Sequence, residues 1–130
     1  MRALVRTEDA VWEVDLEDET LLGPAGERFP AAPPPAVGLP RVVAAAAAGS
    51  TVVAVLDRKP PLAVSHDTGT TWSEAGRGLP PGHAVAIRDD DPDTILYGAR
   101  NRLYLSRDGG RFWHALAPEL PEIAAVAFAD

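Results

Sequence analysis

Ser65-His66-Asp67-Thr68-Gly69-Thr70-Thr71-Trp72 and Ser106-Arg107-Asp108-Gly109-Gly110-Arg111-Phe112-Trp113 follow one pattern, S-x-D-x-G-x-x-W, and their aspartates stand 41 residues apart. A self-similar unit of that length identifies a repeat protein, in which one supersecondary unit recurs and buries its faces against its neighbours. The repeat extends beyond the motif. Leu39-Pro40, Leu79-Pro80 and Leu120-Pro121 recur at intervals of 40 and 41 residues, and each precedes an apolar run.

Those runs are short and are separated by Gly, Pro, Asp and Asn, which is the pattern of many short strands rather than of helices. One unit is four strands, A to D. Strand A is Arg41 to Ala48, His83 to Arg88 and Ile123 to Phe128. Strand B is Thr51 to Leu56 and Thr94 to Ala99, strand C is Leu62 to Ser65 and Leu103 to Ser106, and strand D is Thr71 to Ala75 and Phe112 to Leu116. The N-terminal part reads as a decayed unit without its first strand: Arg2 to Thr7, Val11 to Val14 and Thr20 to Gly23, with Asp15 to Glu19 where the motif should be. The tally is twelve strands in one all-β domain over 1–130. The first unit is split between 2–23 and 123–130, a Pro/Ala-rich link covers 24–40, the second unit covers 41–76 and the third 83–117. The link, with Pro33-Pro34-Pro35, is expected to be extended and on the surface.

The chain has 130 residues, a size suited to one domain, and a formal charge of −7. An acidic surface argues against nucleic acid and against anionic membrane as partners, because both require a cationic face. There is no cysteine, so disulfides and thiolate chemistry are excluded. The first residues carry no apolar run of a secretory signal, from which a cytoplasmic location is expected. The abundance of arginine, alanine and proline is the bias of a GC-rich bacterial genome.

The repeated motif has a mechanical reading. An aspartate in a tight turn accepts hydrogen bonds from backbone N–H groups one to three residues on. A glycine two residues later supplies a positive φ, the serine hydroxyl closes the other side, and the tryptophan folds back over the strand ends. This locks a hairpin and performs no catalysis.

These two segments resemble the Asp-box, or BNR repeat, of sialidase-like and sortilin-like β-propellers. Asp91 to Gly98 followed by Leu103 to Gly110 is similar to the repeats of xyloglucan-hydrolase and photosystem II assembly-factor propellers. The resemblance covers roughly 39 to 130, and more weakly 2 to 23. It implies propeller blades of four antiparallel strands. It also implies a structural role for Ser65, Asp67, Gly69, Thr71, Trp72, Ser106, Asp108, Gly110, Phe112 and Trp113, away from any active site. Phe112 departs from the pattern, standing where a threonine is usual. Strand A is innermost in such a blade, so the run Ala44 to Ala48, helical by propensity, is expected to be a strand whose small side chains suit the crowded axis.

Three blades cannot close a ring, since propellers typically have about four to eight. An open wedge exposes apolar faces and unpaired edges. The expectation is therefore a homodimer forming a six-bladed ring, in which Ile123 to Phe128 of one chain completes, as an exchanged strand, the blade begun by Arg2 to Gly23 of the other.

The acid run Asp89-Asp90-Asp91-Pro92-Asp93 lacks the alternating order of a calcium loop and reads as a turn. His66, His83 and His114 have no metal-ligand spacing, so no metal site and no cofactor are expected. Glycosidase chemistry needs two carboxylates about 5 to 10 Å apart, and no loop on the ligand face of the resembled propellers offers such a pair. Those loops hold Arg58, Lys59, Arg77, Arg100 and Arg102, a candidate anion-binding face. The reading is a non-catalytic propeller module that binds a protein or a small polar or anionic ligand. The alternative is a glycan-binding or sialidase-type protein.

Overall fold

Residues 1–30 and 33–129 are described by the structure, a computed structural model. They form twelve strands: β1 (Arg2–Thr7), β2 (Val11–Asp15), β3 (Thr20–Pro24), β4 (Val42–Ala48), β5 (Thr51–Leu56), β6 (Leu62–Ser65), β7 (Ser73–Ala75), β8 (Ala84–Arg88), β9 (Asp91–Ala99), β10 (Arg102–Ser106), β11 (His114–Glu119) and β12 (Ile123–Phe128). No helix occurs among the described residues.

The strands pair into three antiparallel four-stranded sheets: β12-β1-β2-β3, β4-β5-β6-β7 and β8-β9-β10-β11, here called first, second and third. The third sheet lies between the other two, with β8 against both β4 and β12. The arrangement is propeller-like. The alanine run lies in β4, paired with β5 from Ala44↔Val55 to Ala48↔Thr51. β4, β8 and β12 face one another with alanine-rich segments, Ala45–Ala47 of β4 and Ala125 and Ala127 of β12 among them.

One expectation is corrected here. Ile123–Phe128 pairs with β1 of its own chain, Ala3 opposite Phe128 and Val5 opposite Val126, not with an exchanged partner. The hydrogen bond from Leu120 N–H to the Asn101 carbonyl and that from Ile123 N–H to the Arg100 carbonyl turn the chain directly from β11 into β12, so the strand is steered onto the nearest free edge.

Two clusters fill the seams between sheets. Val5, Val14, Leu16, Ile123 and Val126 of the first sheet meet Leu96, Leu103, Leu105 and Leu116 of the third. Val53, Val55, Leu62 and Val64 of the second meet Ile87, Ile95 and Tyr97 of the third. Each leucine-sized side chain removed from water contributes about 1.5–3 kcal/mol. Gly98 sets how closely the first seam approaches: a Cβ there would stand 2.9 Å from Ile123 Cγ2 and 3.2 Å from Val126 Cγ1. The recurring leucines share one task. Leu79 and Leu120 plug the loop ends of the two seams, and Leu39 does the same on the outer face of the second sheet.

The described residues of the linker keep to the surface, none of them buried, and they cover sheet faces there. Every residue of β5 is buried, although a strand in an outer sheet should have one wet face. Val37 and Leu39 account for this by covering Ala54, Leu56 and Ala63. At its other end the linker lies on the outer face of the first sheet. There the Arg6 guanidinium stands 5.3 Å from the centre of the Phe29 ring and Arg2 reaches Glu27 at 3.8 Å. A segment rich in proline suits this task, because it needs no backbone donors of its own.

Strand D starts later than expected, at Ser73 and His114 instead of Thr71 and Phe112. The reason is local: the N–H groups of Thr71 and Phe112 are bound by turn aspartates and cannot join a ladder.

Candidate functional site

The two motif turns have matching geometry. Ser65 Oγ donates to Asp67 Oδ1 at 2.7 Å and accepts the Gly69 N–H at 2.8 Å. Asp67 accepts the Thr71 N–H at 2.8 Å and the Thr71 hydroxyl at 2.6 Å. Trp72 Nε1 donates to the Gly69 carbonyl at 3.1 Å. In the second turn Ser106 Oγ donates to Asp108 at 2.9 Å and accepts the Gly110 N–H at 2.9 Å. Asp108 Oδ1 takes the Arg111 and Phe112 N–H groups, and Trp113 Nε1 reaches the Gly110 carbonyl at 3.0 Å. Gly69 and Gly110 have φ of 85° and 97°, a region that side chains resist. Bonds from Thr71 and Ser65 hold the Asp67 carboxyl down at about 2. Asp108 is also lowered, chiefly by the Phe112 N–H, but Phe112 has no hydroxyl to offer and its ring is 79% exposed.

A third such turn escaped the sequence reading. Asp15 Oδ1 accepts the N–H groups of Glu17 and Asp18, both at 2.9 Å, which lowers its pKa. The residue after each turn aspartate then binds a carbonyl at or next to the start of strand B: Leu16 to Met1 and Thr68 to Ser50 at 2.9 Å, Gly109 to Asp93 at 3.0 Å. The signal in the sequence was an aspartate at the end of β2; the shortened turn dispenses with the serine, the glycine and the tryptophan.

The five cationic residues of the opposite end do not form one patch. Arg58 is bound to Glu74 at 2.7 Å and Arg102 to Glu119 at 2.9 Å, each within its own sheet. Arg100 holds a positive φ of 56° in the β9–β10 turn and gives its carbonyl to Ile123. Lys59 and Arg77 do converge, on a groove of about 540 Å³ walled by Pro60, Pro61, Pro80 and Pro81. Arg77 has only a 4.0 Å approach to Glu74 and is 84% exposed.

A further cavity, here called the axial cavity, lies where β4, β8 and β12 approach one another. It measures about 840 Å³, is open to solvent, and is bordered by β4, β8, β12 and the linker. Its walls are alanines with Phe29, Val85, Ile87 and Phe128, and its charged lining is Asp89 and Asp90, in the turn between β8 and β9. Asp90 is bound by Arg88 Nε at 2.7 Å, which lowers its pKa. No group of three or more His, Asp or Glu among the described residues is placed to hold a metal. The deepest titratable side chain, Tyr97, is structural: burial pushes its phenol up to about 12 and its hydroxyl donates to the Pro80 carbonyl at 2.8 Å.

No protein-family model matches the chain, and no curated protein does. Among solved structures, the GH74 enzyme of Niastella koreensis is similar over 88% of this chain, at 21% identity and a TM-score of 0.47. The chain spans 17% of that protein's length.

Proposed function

We propose that the chain is a non-catalytic, propeller-like binding module, with structural Asp-boxes in its two S-x-D-x-G-x-x-W turns and its ligand site in the axial cavity. The cavity carries the reading. Its volume of about 840 Å³ falls within the roughly 300–1,000 Å³ of small-molecule sites, and it is assembled from four separate segments of chain. The turn aspartates support the non-catalytic side. Asp67 directs both carboxylate oxygens into its own turn, so neither is placed to move a substrate proton.

The linker favours a one-chain module over a six-bladed ring of two chains. In a ring, a second copy would have to displace Val37 and Leu39 from the outer face of the second sheet. The glycan-processing alternative lacks a facing carboxylate pair in the axial cavity, where Asp89 and Asp90 are adjacent in one turn. A glycan array with a panel of chromogenic glycosides tests it directly, and turnover of any glycoside overturns the non-catalytic reading.

The cavity itself is tested by titrating 1-octanol into the wild type and into Ala47→Phe, whose ring would take up part of the space. Saturable binding, weakened in the variant, is expected. Equal binding by both proteins overturns the site.

A second reading rests on the convergence of Lys59 and Arg77 on one proline-walled groove, which suits a small anion. Inorganic phosphate should bind the wild type and not the Lys59→Ala/Arg77→Ala double variant.

A further inference from the structure

We infer that the axial cavity takes an organic cation, an ammonium group carried on an apolar body; this rests on reading the cavity as the ligand site. Its walls supply apolar contact but no positive charge. Among the described residues, no Lys, Arg or His lines it. Arg6 stacks on Phe29 without itself reaching the lining. Among the described residues, the ionisable groups of the lining are two acids in one turn, Asp89 and Asp90.

Those two acids differ. Asp90 is committed to Arg88. Asp89, exposed in the same turn, has no hydrogen-bond or ionic partner among the described residues. A carboxylate free at the rim of an apolar space selects for one ligand sign, because an anion would be repelled and a neutral molecule would gain nothing from it. The chain's charge of −7 adds attraction at longer range. The groove at Lys59 and Arg77 has the opposite sign, so one molecule carries its own control.

The test is a calorimetric titration of the full chain at low salt with octylammonium, 1-octanol and octanoate, each below its aggregation concentration. Octylammonium should bind tightest, octanol more weakly and octanoate least. Asp89→Asn should narrow the gap between octylammonium and octanol about threefold while leaving octanol unchanged. Ala47→Phe should weaken binding of both; if its circular dichroism shows that it has not folded, Ala47→Val replaces it and should weaken both to a smaller extent. Equal affinity for octylammonium and octanol, or an unchanged ratio in Asp89→Asn, overturns the inference and leaves the cavity as a neutral apolar site. Failure of all three to bind removes the cavity reading as well.

Discussion

Glu19 and His114 meet across the seam between the first and third sheets, carboxylate oxygen to Nε2, at 2.8 Å. The other oxygen of Glu19 takes the Ala117 N–H at 2.8 Å. One side chain of the first sheet thus clamps β11 of the third. The His114 bond, and then the Ala117 bond, hold the Glu19 carboxyl below its ordinary value. A depressed native pKa stabilises the fold above the unfolded value and loses that contribution as pH falls through the native one. Glu19→Ala should speed amide exchange in β3 and β11 at neutral pH, and its melting temperature should converge with the wild type's as the solution is acidified.

The two motif turns differ by one hydroxyl. Asp67 receives it from Thr71, and Asp108 has Phe112 in its place. Phe112→Thr should lower the Asp108 pKa toward that of Asp67, about 2, as read by carboxyl-carbon NMR titration. The melting temperature should rise. Thr71→Val should move Asp67 the other way.

Thr68 holds φ at 61° where the second turn places Gly109 at 75°. A β-branched residue in that region costs about 1–2 kcal/mol, set against the greater freedom glycine regains on unfolding, about 0.5–1 kcal/mol. Thr68→Gly should therefore stabilise the protein by about 0.5–1 kcal/mol in urea denaturation.

Gly98 marks a contact with no spare room. A methyl group there would press on Ile123 at 2.9 Å. Overfilling a close-packed seam costs about 1–3 kcal/mol. Gly98→Ala should lose that much in urea denaturation and should free β12 first, seen as faster exchange in Ile123–Phe128 than in β5.

The linker's cover can be removed by charge. Val37→Asp with Leu39→Asp should expose Ala54, Leu56 and Ala63. Light scattering should then report 13.7 kDa for the wild type and larger species for the variant. A wild type of twice that mass would restore the paired ring.

What could be read from the sequence was what repeats within a few residues. The runs Thr51–Leu56 and Thr94–Ala99, and the run of alanines in β4, announced strands because neighbouring residues set strand geometry. Asp15 was hidden because two N–H groups satisfy it and the rest of the motif became unnecessary. Glu19, Gly98 and Leu39 were hidden for another reason: each acts on a surface folded from distant chain, and nothing beside them in sequence records it. The arginines failed in the opposite direction. Arg58 and Arg102 looked free in their loops, but the antiparallel register sets Glu119 opposite Arg102, and the β5–β6 loop brings Arg58 to Glu74 of β7.

The pairing of β1 with β12 sets an order of events during synthesis. A ribosome adding about 5–20 residues per second delivers Arg2–Thr7 roughly ten seconds before Ile123–Phe128. The second and third sheets, built from consecutive strands, can form in that interval. The edge of β1 waits with its amides bare, beside a nascent seam still lacking Ile123 and Val126. Edges of this kind recruit other chains. That edge is therefore most exposed in the interval before β12 has been made.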